Sequence, residues 1–198
     1  MDEEKSLASI KEALANNEQL LPLVVQETAP RIKYEDLAEY PPAHLLSTYT
    51  TYYGTHDSPN RIHNIKLIAN TLIDCTILLS GEAFSLLDAI GEISFARGFR
   101  EAFVIVEGEL EPQVGGGTCQ TATTLYNTVM LADLEVLSRR NHSLFFYIYP
   151  LGRDATVYGA TDFKFKNNTG HPIYLKGQGT NRSLTFKIYG TPTGKVKG

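Results

Sequence analysis

Gly115-Gly116-Gly117 stands directly before Thr118-Cys119-Gln120, and no other feature of this 198-residue chain constrains its fold as strongly. Three glycines allow positive φ and let a second segment approach the backbone closely. Ala122, Leu125, Tyr126 and Val129 then recur on one face at helical spacing, with Asp133 continuing the series. This predicts a helix over 119–134 whose first residue is Cys119. Strands are expected before it, at 102–107 and around Leu110. Further strands are expected after it, at 143–149, 155–158, 163–166, 173–176 and 184–189.

The upstream half reads less regularly. Leu7, Ile10 and Leu14 mark a helix over 2–18, and residues 20–26 read as a strand. A helical turn is expected at 34–39, a Thr- and Tyr-rich strand at 46–55, and a helix at 61–72 with apolar residues at 62, 65, 68, 69 and 72. Ser80-Gly81-Glu82 reads as a turn. One strong helix feeding successive strands gives an α+β class, with a central helix packed on a mainly antiparallel sheet.

A formal net charge of −4 without a basic stripe argues against nucleic acid as a partner. No apolar run reaches the length of a membrane span. MDEEKSLASI lacks the basic start and apolar middle of an export signal, so any anchor is expected to lie outside this chain. Cys75 and Cys119 are expected to act as independent thiols rather than as a disulfide. His44, His56, His63 and His171 are scattered without metal-ligand spacing, so neither metal nor cofactor is expected.

A cysteine at a helix start meets unpaired N–H groups and the positive end of the dipole, which favour the thiolate. Gln120 is placed to offer an amide to an oxyanion. The glycines do not read as a phosphate loop, because the Gly-Lys-Ser/Thr ending is missing. Downstream come His142, then Asp154 and Asp162, an order of nucleophile, base and orienting acid. That layout resembles transglutaminase-like and papain-like thiol enzymes. The alternative is a small buried cysteine at a tight turn, with the histidine and acids forming a structural polar cluster. Arg61 and Asn64, on the polar side of their helix, and Glu82 after its turn are candidates to bind substrate or merely to cap and solvate. Gly116 and Gly117 join them as backbone that a ligand can approach.

Arg61-x-x-Asn64-Ile65, GEAFS at 81–85, GGGTCQTATTLYN at 115–127, His142-Ser143, LGRDATV at 151–157 and DFKFKN at 162–167 occur in one order. Together they resemble the VanW-like family over about 45–189, bacterial envelope proteins named for an accessory protein of vancomycin-resistance clusters. Ser80 stands where that pattern has proline, Cys75 where it has glycine, and Leu86-Leu87 where it has Phe-Asn. The resemblance implies a protein on the extracellular face of the membrane or in the wall. Its partners would be peptidoglycan or another envelope protein. It also divides the chain into the tail of a peptidoglycan-binding-like region (1–33), the VanW-like domain (34–190) and a flexible tail (191–198). Two functions stay open: a Cys–His–Asp peptidase or acyltransferase acting on peptidoglycan peptides, and a non-catalytic module that binds peptidoglycan or a protein.

Overall fold

Periodicity switches repeatedly between helical and extended along the chain, and the elements follow it. The computed structural model describes residues 3–17, 28–106, 109–143 and 149–192. It divides into two units, Met1–Tyr34 and Glu35–Gly198. The first holds α1 (Glu3–Ala15), which is followed by Asn17 in the left-handed conformation that asparagine tolerates. The strand expected at 20–26 lies outside the described residues, as does most of the one expected at 143–149.

Then come α2 (Tyr34–Ala38), β1 (His44–Tyr52), α3 (Pro59–Leu67), β2 (Thr76–Leu78), β3 (Ala83–Ser85), α4 (Leu86–Ile90) and β4 (Glu101–Val106). β5 (Glu109–Val114), α5 (Thr118–Leu131), β6 (Glu135–Ser138), β7 (Lys164–Lys166), β8 (Ile173–Gly179) and β9 (Ser183–Gly190) complete the order. The strands form a four-stranded sheet β1-β9-β8-β2, a three-stranded sheet β3-β7-β6 and the β4-β5 hairpin. Every ladder is antiparallel, which gives the α+β architecture that the sequence predicts.

β8 and β9 alternate strictly, placing Ile173, Leu175, Leu184, Phe186 and Ile188 on one buried face. α5 covers that face at β1 and β9, and α3 with its continuation covers it at β8. Ser58 caps α3 by accepting from the Arg61 N–H at 3.2 Å, and Pro59 follows at the first helical position. Beyond Leu67 the helix widens into a π-helical stretch, Ile68–Ile73, with Asp74 N–H bonded to Ala69 O. A side chain at Gly177 would collide with that same Ala69 carbonyl, so the strand must be bare where the helix lies on it. Cys75 then takes φ of 66°, a conformation that suits the glycine the family resemblance expects there.

α5 is buried on nearly every side, although the sequence shows only one apolar face. Its polar side chains are matched rather than exposed. Thr51 Oγ1 on β1 meets Thr124 Oγ1 at 2.8 Å and the Gln120 amide at 2.9 Å, and Ser47 Oγ donates to Thr128 O at 2.7 Å. On the other side, Thr123 Oγ1 both accepts from Ala155 N–H and donates to Ala155 O, each at 3.0 Å. The helix stops at Leu131, three residues short of the expected end. Asp133 turns left-handed at φ 56°, with Asp133 N–H on Met130 O and Leu134 N–H on Val129 O closing the terminus.

Two further expectations change. Residues 155–158 are not a ladder strand, because their backbone bonds go to α5 side chains and to Arg140 O. β6 was not anticipated, since its four residues are all exposed and carry no alternation.

Replacing Thr51 by Val should lower stability by about 1–3 kcal/mol, the cost of leaving the buried Thr124 hydroxyl acceptor and the Gln120 amide donor short of a partner. Urea denaturation measures it, and an unchanged midpoint would show that the polar seam contributes nothing.

Candidate functional site

The start of α5 is fixed by close contacts on the glycine turn. A Cβ at Gly116 would stand 2.8 Å from the Ala102 carbonyl oxygen, and one at Gly117 would stand 2.8 Å from Ile65 Cγ1. Gly117 also has φ of 109°, which strains any side chain. Asn64 locks the same corner. Its amide donates to Arg100 O at 2.8 Å and Gly116 O at 3.0 Å, while its oxygen accepts from Arg100 N–H at 2.8 Å. The expectation that Asn64 lies on a polar, open helix face is therefore corrected: it is fully buried and joins α3 to β4 and the glycines.

Cys119 is the second residue of α5. Its sulfur lies 3.4 Å from Thr156 Oγ1 and 3.5 Å from Val157 O, and it hydrogen-bonds the His142 imidazole. His142 Nδ1 meets Asp154 Oδ2 at 2.7 Å, and the His142 backbone N–H donates to the same oxygen at 2.8 Å. The other carboxylate oxygen accepts from Arg139 at 3.0 Å, and Arg139 Nε holds the Asp154 carbonyl at 2.7 Å. The Arg139 guanidinium itself lies over the Tyr126 ring, 5.1 Å from its centroid. A line of hydrogen bonds thus runs from Arg139 through Asp154 and His142 to Cys119.

The line reaches Cys119 because the 153–157 segment is pinned to α5. Thr123 takes both backbone groups of Ala155, and Asn127 donates to Arg153 O at 2.7 Å while accepting from Arg153 Nε at 2.8 Å. Asp154 sits between those two anchors, held one and two turns along the helix from the cysteine.

The electrostatics follow from these contacts. Burial pushes the Cys119 thiol up, but hydrogen bonds from His142 and Thr156 outweigh it, and the pKa falls below the ordinary value. Burial likewise disfavours charge on His142, yet the bonds to Cys119 and Asp154 prevail and raise it. Asp154 is pushed up by burial and pulled lower overall by the His142 N–H and ring. Both shifts favour a thiolate–imidazolium pair. Among the described residues no acceptor meets the Cys119 backbone N–H, which the first turn of a helix leaves unpaired.

The remaining candidates lie apart from this line. Asp162 is buried and caps α4, accepting from Ser85 Oγ at 2.6 Å and Leu87 N–H at 3.0 Å. Of the two aspartates, Asp154 faces His142. The Gln120 amide is turned to Thr51 and to the Tyr52 carbonyl at 3.3 Å, so it does not point at an oxyanion. Glu82 closes its own turn on Leu79 N–H at 2.7 Å. Gly116 and Gly117 are occupied by packing. Arg61 pairs with Asp57 at 2.9 Å and lies along the glycine turn. Sequence reasoning did not single out Thr156, Thr123 or Asn127. The TxxxN spacing after Cys119 was a usable signal, since i and i+4 share a helix face. Cys75 and Cys119 are both free thiols. Among the described residues, no group of three or more His, Cys, Asp or Glu side chains is placed to hold a metal, and no helix is long and apolar enough to cross a membrane.

Two substitutions separate the aspartates. Asp154→Asn should raise the apparent pKa of Cys119 toward the free-thiol value of about 8.5 by weakening the imidazolium. Asp162→Ala should leave that titration in place and lower stability by about 1–2 kcal/mol through loss of a helix cap. Thiol titration and thermal melts of both variants check this, and equal thiol shifts would refute the assignment.

A family model described as VanW like protein matches residues 60–189. The chain is also 37% identical over 145 residues to "Uncharacterized protein YoaR" of Bacillus subtilis (strain 168), a match covering 73% of this chain and 47% of that protein. The chain thus spans about half the length of the curated relative it matches. No solved structure matches. All elements of the Cys119 line fall inside the family match, and the chain belongs to the VanW-like family.

Proposed function

We propose that this chain is a cell-envelope thiol enzyme that cleaves or transfers a peptide bond in peptidoglycan or its peptides, outside the cytoplasmic membrane. Membership of the VanW-like family suggests the envelope setting. The single observation that carries the chemistry is Asp154 bonded to His142 at 2.7 Å, with that imidazole acting in turn on a thiol at a helix start.

With Nδ1 engaged by Asp154, Nε2 of His142 is the nitrogen left to take the Cys119 proton. The thiolate attacks the peptide carbonyl carbon, forming a C–S bond and a tetrahedral oxyanion. The Cys119 N–H, without an acceptor among the described residues, is the donor that the helix start offers to that oxygen. Collapse expels the amine, which takes its proton from the imidazolium and leaves a thioester. Water, deprotonated by His142, then releases the acid; an amine acceptor in place of water makes the reaction a transfer.

A second reading has its own supporting observation. The Cys119 sulfur is already ringed by Thr156, Val157 and His142, as a structural thiol in a non-catalytic peptidoglycan- or protein-binding module would be.

The alkylation rate of Cys119 against pH, in a Cys75→Ser background, decides between them. A lowered thiol pKa means that thiolate is present above the depressed value and lost only as pH falls through it. The expected apparent pKa is therefore below about 8.5 and rises when His142 is replaced by Ala. Cys119→Ser should also reduce turnover of wall peptides by about a thousandfold or more. A thiol with an ordinary pKa indifferent to His142, or full biological activity in Cys119→Ser, would sink the enzyme reading.

A further inference from the structure

We propose that Arg61, with the hydroxyls of Tyr53 and Tyr149, forms a carboxylate-binding subsite beside Cys119, so that its substrates are acyl or peptidyl compounds bearing a free carboxylate near the scissile bond. The inference rests on the thiol-enzyme reading and adds the substrate class to it.

The stem of Arg61 is held against the turn that opens α5. Its Cγ and its carbonyl oxygen each lie 3.2 Å from where a Cβ at Gly117 would stand, two residues before the nucleophile. Asp57 Oδ2 takes one Nη1 proton at 2.9 Å and is itself fixed by Gly54 N–H at 2.8 Å. That contact aims the guanidinium without exhausting it, since the planar fork carries five N–H donors. The side chain keeps 21% of its surface exposed, enough to meet a ligand while being shielded from bulk water.

Tyr53 is the independent sign of a ligand. Its hydroxyl is buried and meets no hydrogen-bond partner among the described residues, a costly arrangement that a bound acceptor would relieve. Tyr149 connects this corner to the catalytic line, because Arg61, Cys119 and Asp154 all act electrostatically on its hydroxyl. Burial pushes both phenols up to about 12, so each stays a neutral O–H donor at physiological pH. One cation and two neutral hydroxyls match a single planar anion with two acceptor oxygens.

Iodoacetate and iodoacetamide differ only in carrying a carboxylate or a neutral amide beside the reacting carbon. Their rates at Cys119 are compared at low ionic strength in the Cys75→Ser protein, and thermal melts confirm folding. The iodoacetate-to-iodoacetamide ratio should fall about three- to fivefold in Arg61→Gln, the effect of a partly exposed ion pair. Arg61→Lys, which keeps the charge, should retain most of the ratio, and Lys176→Gln, which removes a cation beside Asp74 beyond the far end of the helix whose first turn holds Arg61, should retain all of it. Attraction by the His142 imidazolium is common to every variant and cancels. A ratio unchanged in Arg61→Gln overturns the subsite, even if the thiol titrates low. An Arg61-dependent ratio with an ordinary thiol pKa keeps the subsite and removes the chemistry. A thiol unreactive to both reagents overturns both.

Discussion

A helix that is buried on almost every side, yet carries Thr118, Gln120, Thr121, Thr123, Thr124, Asn127 and Thr128 among its buried residues, can exist only if its neighbours supply matching polar groups. That requirement organises this domain. β1 presents Ser47 and Thr51 to one side of α5 instead of apolar residues, and the irregular 153–157 segment presents its backbone to another. Leu125, Ala122 and Val129 join the common core with Phe163, Phe165 and Phe186, and the half-buried Cys119 and Tyr126 pack against it. Thr121 Oγ1 is the exception, buried without a partner among the described residues.

The same matching sets the chemistry. A segment whose backbone bonds are taken by Thr123 and Asn127 cannot pair as a strand, and it stays irregular alongside the helix. Asp154, trapped between those anchors, presents its carboxylate to His142 on one oxygen and to Arg139 on the other. Carboxylate, imidazole and thiol then hold one another in the charged forms that burial alone would oppose. Since Thr123 and Asn127 pin the segment that carries Asp154, and Arg139 and His142 bond to Asp154 in turn, the reactive arrangement and the polar packing of α5 share hydrogen bonds.

Much of the fold was legible because its signals are local. The apolar stripe at 62, 65, 68, 69 and 72, the alternation in 173–176 and 184–189, and the Gly115–Gly117 turn each follow from side-chain chemistry within a few residues. The candidate cluster was legible in part. Cys119 and His142 were found from helix position and chain order, but two aspartates remained open because 154 and 162 are equally plausible in sequence distance. Gln120 and Asn64 were misjudged for a common reason. An amide side chain looks alike in sequence whether it faces solvent, a substrate or a buried carbonyl, and only packing decides which.

The sequence by itself determined that a thiol stands at the start of a helix, that the chain is α+β, and that its ordered motifs are those of the VanW-like family. These follow from the spacing of near neighbours and from glycine's freedom at a sharp turn. Tertiary structure alone decided that Asp154 serves His142 while Asp162 caps α4, that Arg139 closes the line, and that Arg61 lies along the glycine turn. Each of those contacts joins residues through folded space, where hydrogen-bond distance and burial, rather than chain order, choose the partner.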